Sequence, residues 1–453
     1  MTPAGASPSP ASSPTAAAAP VPADLTLVQT RTSLLGTHTT YAQTYRGIPV
    51  LGGYYTVHTG SLARVDDGRR SVAGLPDVTA GHSKASAVGV AKSHGKARGA
   101  RLAILPATAS APATLVWEVR TSEDKQVLVN ADKGTVVKVV DERRHADGTG
   151  KVFDPNPVVS QQNQALRDSS DAASAVPAAA YKSVTLANLD TSGYLRGTWA
   201  KVVNKTSGKQ PAAYSSTRTF SYTRDDDRFE QVNAYYAVDR LQTYIRSLGF
   251  TDVNAEAQDL NVNGTTEDNS WYTPSTDVIT IGTGGVDDGE DQEVVWHEYG
   301  HAVQDDQVPG FGSTSDGGAI GEGFGDYLAA TMSQANSPDS ATTPWACVMD
   351  WDSTAYTSTT PHCIRRLDTT KTVANRTGEV HADGEIWSHA LWDINKSLGR
   401  DKATKIILEA QFSYAANTSW AAAANTTVAT ANALYGATDA ATVKAAFQAR
   451  GIL

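Results

Sequence analysis

The sequence predicts an α+β protein: a sheet-rich N-terminal part, then a larger part whose β-rich beginning gives way to helices. Three observations carry this. Up to about residue 145, short β-branched or aromatic runs alternate with Gly and Asp turns. From about residue 190, apolar residues recur at helical spacing. Around 143–185 the texture shifts to RRHADGTGKVFDPNPVVSQQNQ and then a Ser/Ala/Asp-rich stretch. Its Gly, Pro and paired Arg read as an exposed junction where domains meet and proteases cut.

Taken in order, residues 1–24 are rich in Pro, Ala, Ser and Thr and read as a disordered leader or linker. They lack the basic start and apolar run of a signal peptide. LVWEVRT at 115–121 reads as a strand, and QVLVNADKGTVVKVVDE at 126–142 as a hairpin turning at Asp132–Lys133–Gly134. His38, His58, His82 and His94 are scattered and read as ordinary histidines. FEQVNAYYAVDRLQTYIRSLGF at 229–250 places Val232, Tyr235, Tyr236, Val238, Leu241 and Ile245 at helical spacing, with acids before it and Gly249 as a stop. Val278–Ile281 reads as a strand. Helices are expected at 291–305, 318–334 and 379–397, with Ala-rich ones following.

With 453 residues, 40% of them hydrophobic, the chain can form two or three domains. A formal net charge of −10 argues against nucleic acid as the main partner. No apolar run is long enough to span a membrane. The two cysteines, Cys347 and Cys363, would close a short loop as a disulfide in an oxidising setting; two free thiols are the alternative.

The chemistry centres on EVVWHEYGH, residues 293–301. His297 and His301 share one helix face a turn apart, a spacing that lets two imidazoles bind one Zn²⁺. Glu298 adjoins the first ligand and can take a proton from a water on the metal. The acidic run DDGEDQE at 287–293 suits the helix N-terminus. An HExxH pattern alone is only moderately specific, but GGAIGEGFGDYLAA at 317–330 adds Glu322 as a third ligand. Asp326, four residues on, can accept the free ring N–H of a ligand histidine. Three ligands with a fourth position open describe a catalytic rather than a structural zinc site. In NRTGEVHADGEIWSHALWDIN, residues 375–395, His381 stands at the mouth of a helix, where it can serve an oxyanion. By itself it would read as structural, as do His389 and His362.

With these clusters in view, the sequence resembles the thermolysin-like and fungalysin-like zinc metallopeptidases, the gluzincins. HEYGH with GEGFGDY is most similar to the fungalysin-like branch. NSWYTP at 269–274 resembles the family's substrate-binding edge strand, and GKVFDPNPV at 150–158 the start of its mature enzyme. YAQTYRGIPVLGGYYTVHTG at 41–60 is similar to the propeptide shared by both branches.

The resemblance implies a propeptide over 25–145 that inhibits and assists folding, followed by a two-lobed catalytic domain over 146–453. Its lobes would be 146–305, carrying the active-site helix, and 306–453, mainly helical, with the zinc in the cleft between. It implies a secreted zymogen, monomeric, acting on internal peptide bonds of peptides and proteins. His297, His301 and Glu322 match the ligands, Glu298 the general base, Asp326 the residue orienting a ligand histidine, and His381 the one stabilising the transition state. Arg365, with Arg366 as the alternative, matches an arginine contacting substrate backbone. Asn269 and Ser270 match the edge that pairs with an extended peptide, and Val294 and Ile364 would line an apolar pocket for the residue after the cleaved bond.

Two departures stand out. Phe311–Gly312–Ser313 replaces a tyrosine of the thermolysin-like pattern, and Arg376 replaces the aspartate that steadies the His381 equivalent. Glu379 or Asp383 would have to take over the second task. Calcium, bound by many relatives, lacks a recognisable loop here. The acidic stretches at 258–269 and 287–291 read as ordinary solvated turns. Two other functions compete: an aminopeptidase of the same clan, for which no free-amine motif is visible, and a catalytically silent secreted binding protein, which the intact Glu298 opposes.

Overall fold

The computed structural model describes residues 22–33, 36–60, 63–75, 77–122, 125–141, 146–205 and 212–453. The leader up to residue 21 and the paired Arg143 and Arg144 lie outside the described residues. The chain divides into two units, Met1–Arg143 and Arg144–Leu453. No helix among the described residues is long and apolar enough to cross a membrane.

Among the described residues of the first unit, eight strands form one sheet: β1 (Leu25–Ser33), β2 (Gly36–Tyr45), β3 (Ile48–His58), β4 (Arg64–Gly68), β5 (Ala97–Leu105), β6 (Thr114–Thr121), β7 (Lys125–Asn130) and β8 (Val136–Asp141). The order is β1-β2-β3-β5-β6-β7-β8, with β4 beside β3. Helix α1 (Lys84–Val90) lays Ala87 against Val119, Val127 and Val129. The expected hairpin is β7–β8. Asn130 Oδ1 accepts the N–H groups of Asp132 and Lys133 at 2.9 and 2.8 Å, and Gly134 takes φ 68°, which a Cβ would strain.

The second unit opens with β9 (Ala146–Val152), paired antiparallel with β10 (Lys182–Leu189) and parallel with β12 (Thr219–Phe220). Between β9 and β10 lies the short α2 (Pro157–Gln161). A second sheet runs β11-β13-β15-β14, from β11 (Ala200–Val202), β13 (Gln258–Thr265), β14 (Trp271–Thr273) and β15 (Val278–Gly282). The edge strand β14 falls in the NSWYTP segment. Helices follow: α3 (Arg228–Ser247) before β13, then α4 (Gln292–Gln307), α5 (Ser315–Ser333), α6 (Val380–Leu398), α7 (Arg400–Gln411), α8 (Trp420–Tyr435) and α9 (Ala437–Ala449). The strand pair β16 (Cys347–Val348) and β17 (Arg365–Arg366) interrupts them, tied by the Cys347–Cys363 disulfide. A sheet-rich beginning and a helical end are thus the observed architecture.

The main core explains why the helical periodicity was visible. Val232, Tyr235, Val238, Leu241 and Ile245 of α3 are fully buried, together with Trp296 and Tyr299 of α4, Phe324 and Tyr327 of α5 and Trp387 of α6. Each such side chain contributes about 1.5–3 kcal/mol of apolar burial. Tyr236 is only partly buried, and the Arg240 guanidinium lies over its ring at 5.5 Å.

Two sequence expectations are corrected. The junction is not an exposed segment beyond residue 146. β9 is paired on both sides, and Phe153, Val158, Val176 and Ala180 form a buried cluster with Phe229 and Trp351. Its Ser/Asp-rich loop is gathered by the fully buried Arg224, whose guanidinium bonds Asp168 and Glu290. Nor are the acidic stretches solvated turns. Most of 258–269 is the strand β13, and Asp288, Glu290 and Asp291 are at most 2% exposed. Asp291 is buried because it serves as a connector. Its carboxylate accepts N–H groups of Glu293 at 3.0 Å and Trp351 at 3.1 Å, and the Asn156 amide at 3.2 Å. Burial pushes its carboxyl up to about 6, with those donors working the other way.

Candidate metal centre and active site

Three helices deliver the site, and each begins on a side-chain cap. Asp291 caps α4, the Thr314 hydroxyl accepts the Gly317 N–H at 3.0 Å to cap α5, and Glu379 accepts the N–H groups of His381 and Ala382 to cap α6. Such caps are worth about 1 kcal/mol each and fix where the helix, and so its side chains, begins.

His297 and His301 project from one face of α4, their rings 4.9 Å apart at 82°. Their Nε2 atoms are 3.2 Å apart. Glu322 on α5 meets both, with Oε2 at 3.2 Å from His297 Nε2 and Oε1 at 3.6 Å from His301 Nε2. The donor set fits zinc. Two ligands at 2.0–2.1 Å on a tetrahedral centre stand about 3.3–3.4 Å apart, close to the imidazole spacing found here. Buried Glu322 Oε2 takes no hydrogen bond among the described residues, an orphan that a cation would satisfy.

Behind the ligands the tautomer is set. A carboxylate can only accept, so the contact of 2.9 Å between Asp326 Oδ1 and His297 Nδ1 puts the ring proton on Nδ1 and turns the Nε2 lone pair toward the cluster. Asp326 is fully buried and is held in turn by Arg365, whose Nε donates at 2.8 Å and Nη2 at 2.8 Å. Burial would pull the His297 pKa down, but Asp326 and Glu322 outweigh it and raise it to about 10. Their negative charge calls for a positive one at this spot, which a proton meets when no metal does. Burial acts against the Glu322 charge too, yet the two histidines hold its carboxyl well below the usual range.

The helices approach closely enough to do this because small residues face one another. A Cβ on Gly325 would lie 2.6 Å from His297 Nδ1, and one on Gly384 of α6 would lie 2.8 Å from Glu322 Cβ. Both positions require glycine if the ligands are to stay where they are.

A cleft of about 890 Å³ opens over this centre. It is lined by His297, His301, Glu322, Glu298, His381, Arg365, Asn269, Ser270, Val294 and Ile364, so the sequence-derived ligand, catalytic and substrate-binding residues all reach it, while Asp326 stands behind His297. Cys363 of the disulfide reaches it as well, and Cys347 does not. Arg366 turns away to Asp368. His381 is 53% exposed, with Nε2 at 3.4 Å from Glu322 Oε2 and Nδ1 at 2.7 Å from Glu379 Oε1. The choice left open between two acids therefore falls on Glu379. Asp383 is occupied by the N–H groups of Thr377 and Gly378 and by Arg376. Slight burial works against the Glu379 charge, but the Ala382 N–H and the His381 ring hold its carboxyl down at about 2. His389 and His362 are buried away from the cleft, beside Arg450 and Gln164 respectively.

Sequence reasoning missed Tyr272, Tyr356, Asp288 and Asp352, which also line the cleft. No local pattern could have found Asp352 or Tyr356, since they begin and cap a single short 3-10 turn of helix, Asp352–Ala355, after β16.

Comparison with known proteins locates two segments. Residues 23–66 match the Fungalysin/Thermolysin Propeptide Motif, and residues 311–452 match the Thermolysin metallopeptidase, alpha-helical domain. The second segment contains Glu322, Asp326, Arg365 and His381; HEYGH precedes it. Among solved structures, the "Precursor of Protealysin, Metalloproteinase from Serratia proteamaculans" is similar at 15% identity and TM-score 0.43, over 56% of this chain and 87% of that one. The "Bacillus megaterium YpeB C-terminal domain" is similar at 16% identity and TM-score 0.20, over 27% of this chain and 58% of that one. No curated protein matches.

Proposed function

From a chain that is thermolysin/fungalysin-like in both its propeptide motif and its helical domain, we propose a secreted, zinc-dependent endopeptidase made as a zymogen. Residues 25–145 act as the inhibitory propeptide and 146–453 as the catalytic domain. The observation that carries this is the convergence of His297, His301 and Glu322 in one cleft with Glu298 between the two histidines on the same helix.

His297, His301 and Glu322 hold the metal, which when bound supplies Lewis acidity toward water and the peptide carbonyl. Glu298, 7% exposed, takes the proton of the attacking water and passes it to the leaving amine. His381 Nε2 donates to the developing oxyanion, its ring steadied at Nδ1 by Glu379. Asn269 and Ser270 lead into the edge strand β14, where an extended peptide can add as a further strand. Arg365 reaches the peptide backbone, and Val294 with Ile364 receives an apolar residue after the cleaved bond. The disulfide supports an oxidising compartment.

The test follows the zinc-loaded full chain by mass and new N-terminus beside Glu298→Gln. The expected result is trimming near 142–150 in the wild type and an intact variant that still holds its metal. A Glu298→Gln chain that turns over casein at near-normal rate sinks the mechanism, and a zinc-loaded wild type that stays silent after deliberate nicking replaces it with the non-catalytic reading.

A further inference from the structure

A histidine that gives Nε2 to a metal carries its ring proton on Nδ1, and that N–H needs an acceptor to fix the ring. For His297 the acceptor is Asp326, at 2.9 Å. For His301 no hydrogen bond at Nδ1 is formed among the described residues; its ring contact lies at Nε2, 3.2 Å from His297 Nε2. What stands beside the free edge of that ring is seen from Gly321 on α5. A Cβ there would lie 3.5 and 3.6 Å from His301 Nδ1 and Cε1, and 3.2 Å from Gln304 Oε1. The imidazole edge and the amide oxygen therefore share one glycine as their floor. Gln304 follows His301 by three residues on α4, a spacing that places two side chains on one helix face, and it borders the cleft.

Stability alone does not account for a glutamine at this position. Gln304 is 3% exposed, and its buried Nε2 has no hydrogen-bond partner among the described residues. An unpaired buried amide is costly, and a methionine of the same length would fill the space without that cost. A local cost of this kind, one turn beyond a ligand, points to a task. We propose that Gln304 is the positioning residue of the second histidine ligand: its Oε1 accepts the His301 Nδ1 proton, directly or through one water, and holds Nε2 toward the metal position. Each imidazole then has its own acceptor, Asp326 on α5 for His297 and Gln304 on α4 for His301. Gly321 belongs to the same arrangement, since a side chain there would press on the amide oxygen and the ring edge together. The assignment rests on the metal-centre reading above and deepens it.

The experiment uses the full chain carrying Glu298→Gln as the parent, so that self-cleavage cannot intervene. Zinc affinity is measured by competition with a chelator, and the metal-free chain is melted in parallel. Gln304→Met, which keeps the length and loses the acceptor, should bind zinc about 10–100-fold more weakly. Its metal-free melting temperature should stay level or rise, because an unpaired amide has been removed. Gln304→Glu, which keeps an acceptor for the ring proton, should hold zinc at least as tightly as the parent. A side chain that only packs would give the reverse pattern, with methionine tolerated in both assays and the buried charge of glutamate costly. Zinc affinity in Gln304→Met within about twofold of the parent, or an equal loss in Gln304→Met and Gln304→Glu, overturns the assignment. A parent that takes up no zinc overturns the metal centre and this assignment together, whereas tight zinc in the parent and in Gln304→Met alike overturns the role of Gln304 alone.

Discussion

Asp326→Asn separates two tasks that one buried carboxylate performs. Asp326 is fully buried, receives three charge-assisted bonds of 2.8–3.0 Å from Arg365, and accepts the His297 Nδ1 proton at 2.9 Å. Removing its charge leaves the Arg365 side chain, 13% exposed, as an unmatched cation. Breaking a buried pair in that way costs about 3–5 kcal/mol, and the amide oxygen, which can keep one of the bonds, points to the lower end. The second task is orienting the ligand. Loss of such a partner lowers metal affinity by about 10–100-fold, equivalent to about 1.4–2.7 kcal/mol. The assays are zinc affinity by competition with a chelator, and urea melts of metal-free and zinc-loaded chain, beside Arg365→Gln. Arg365→Gln should lose stability while keeping zinc affinity closer to the wild type, because Asp326 still holds His297. If Asp326→Asn binds zinc within about twofold of the wild type, the carboxylate does not orient the ligand and the reasoning fails.

Three further outcomes are expected. Glu379→Gln should lower kcat with little change in KM, and its effect should vanish in a His381→Ala background, where the single change alone costs about 10²–10³-fold; additive losses would mean that Glu379 does not act through His381. Replacing Cys347 and Cys363 by Ser, 16 residues apart, should remove about 3 kcal/mol from the unfolding free energy, an amount that reduction of the wild type should reproduce. Asp239, which burial pushes up to about 6 while the Asn188 amide works against that, binds its proton more tightly folded than unfolded. Its contribution to stability should therefore fall as pH rises from about 4 to about 6 and then level off, by up to about 3 kcal/mol; Asp239→Asn should flatten that slope in melts taken across the window.

What the sequence made legible was local and periodic. His297 and His301 at i and i+4, Glu322 and Asp326 at the same spacing, and the buried stripe of α3 declare helices and their inner faces without reference to the rest of the chain. The single turn at Gly134 was readable for the same reason. The remainder depends on partners far away in sequence. Arg365 finds Asp326 across 39 residues, and Asp291 is buried only because Trp351 and Asn156 come to meet it. A run such as DDGEDQE reads as solvated on charge density alone, since the buried guanidinium of Arg224 that answers Glu290 lies 66 residues upstream. Glu379 and Asp383 were equivalent as letters; only the backbone turn at Thr377–Gly378 assigned Asp383 elsewhere.

The glycines that let α4, α5 and α6 touch also set how the protein would fail. Because Gly325 faces His297 and Gly384 faces Glu322 with no room for a methyl group, the distance between ligands is governed by backbone spacing and not by side-chain reach. A small intrusion there would move a donor by a fraction of an ångström while leaving most of the apolar core intact. Drift along this seam should accordingly be felt first as a chain that folds but no longer keeps its metal, and the centre works as a gauge of how tightly the three helices are drawn together.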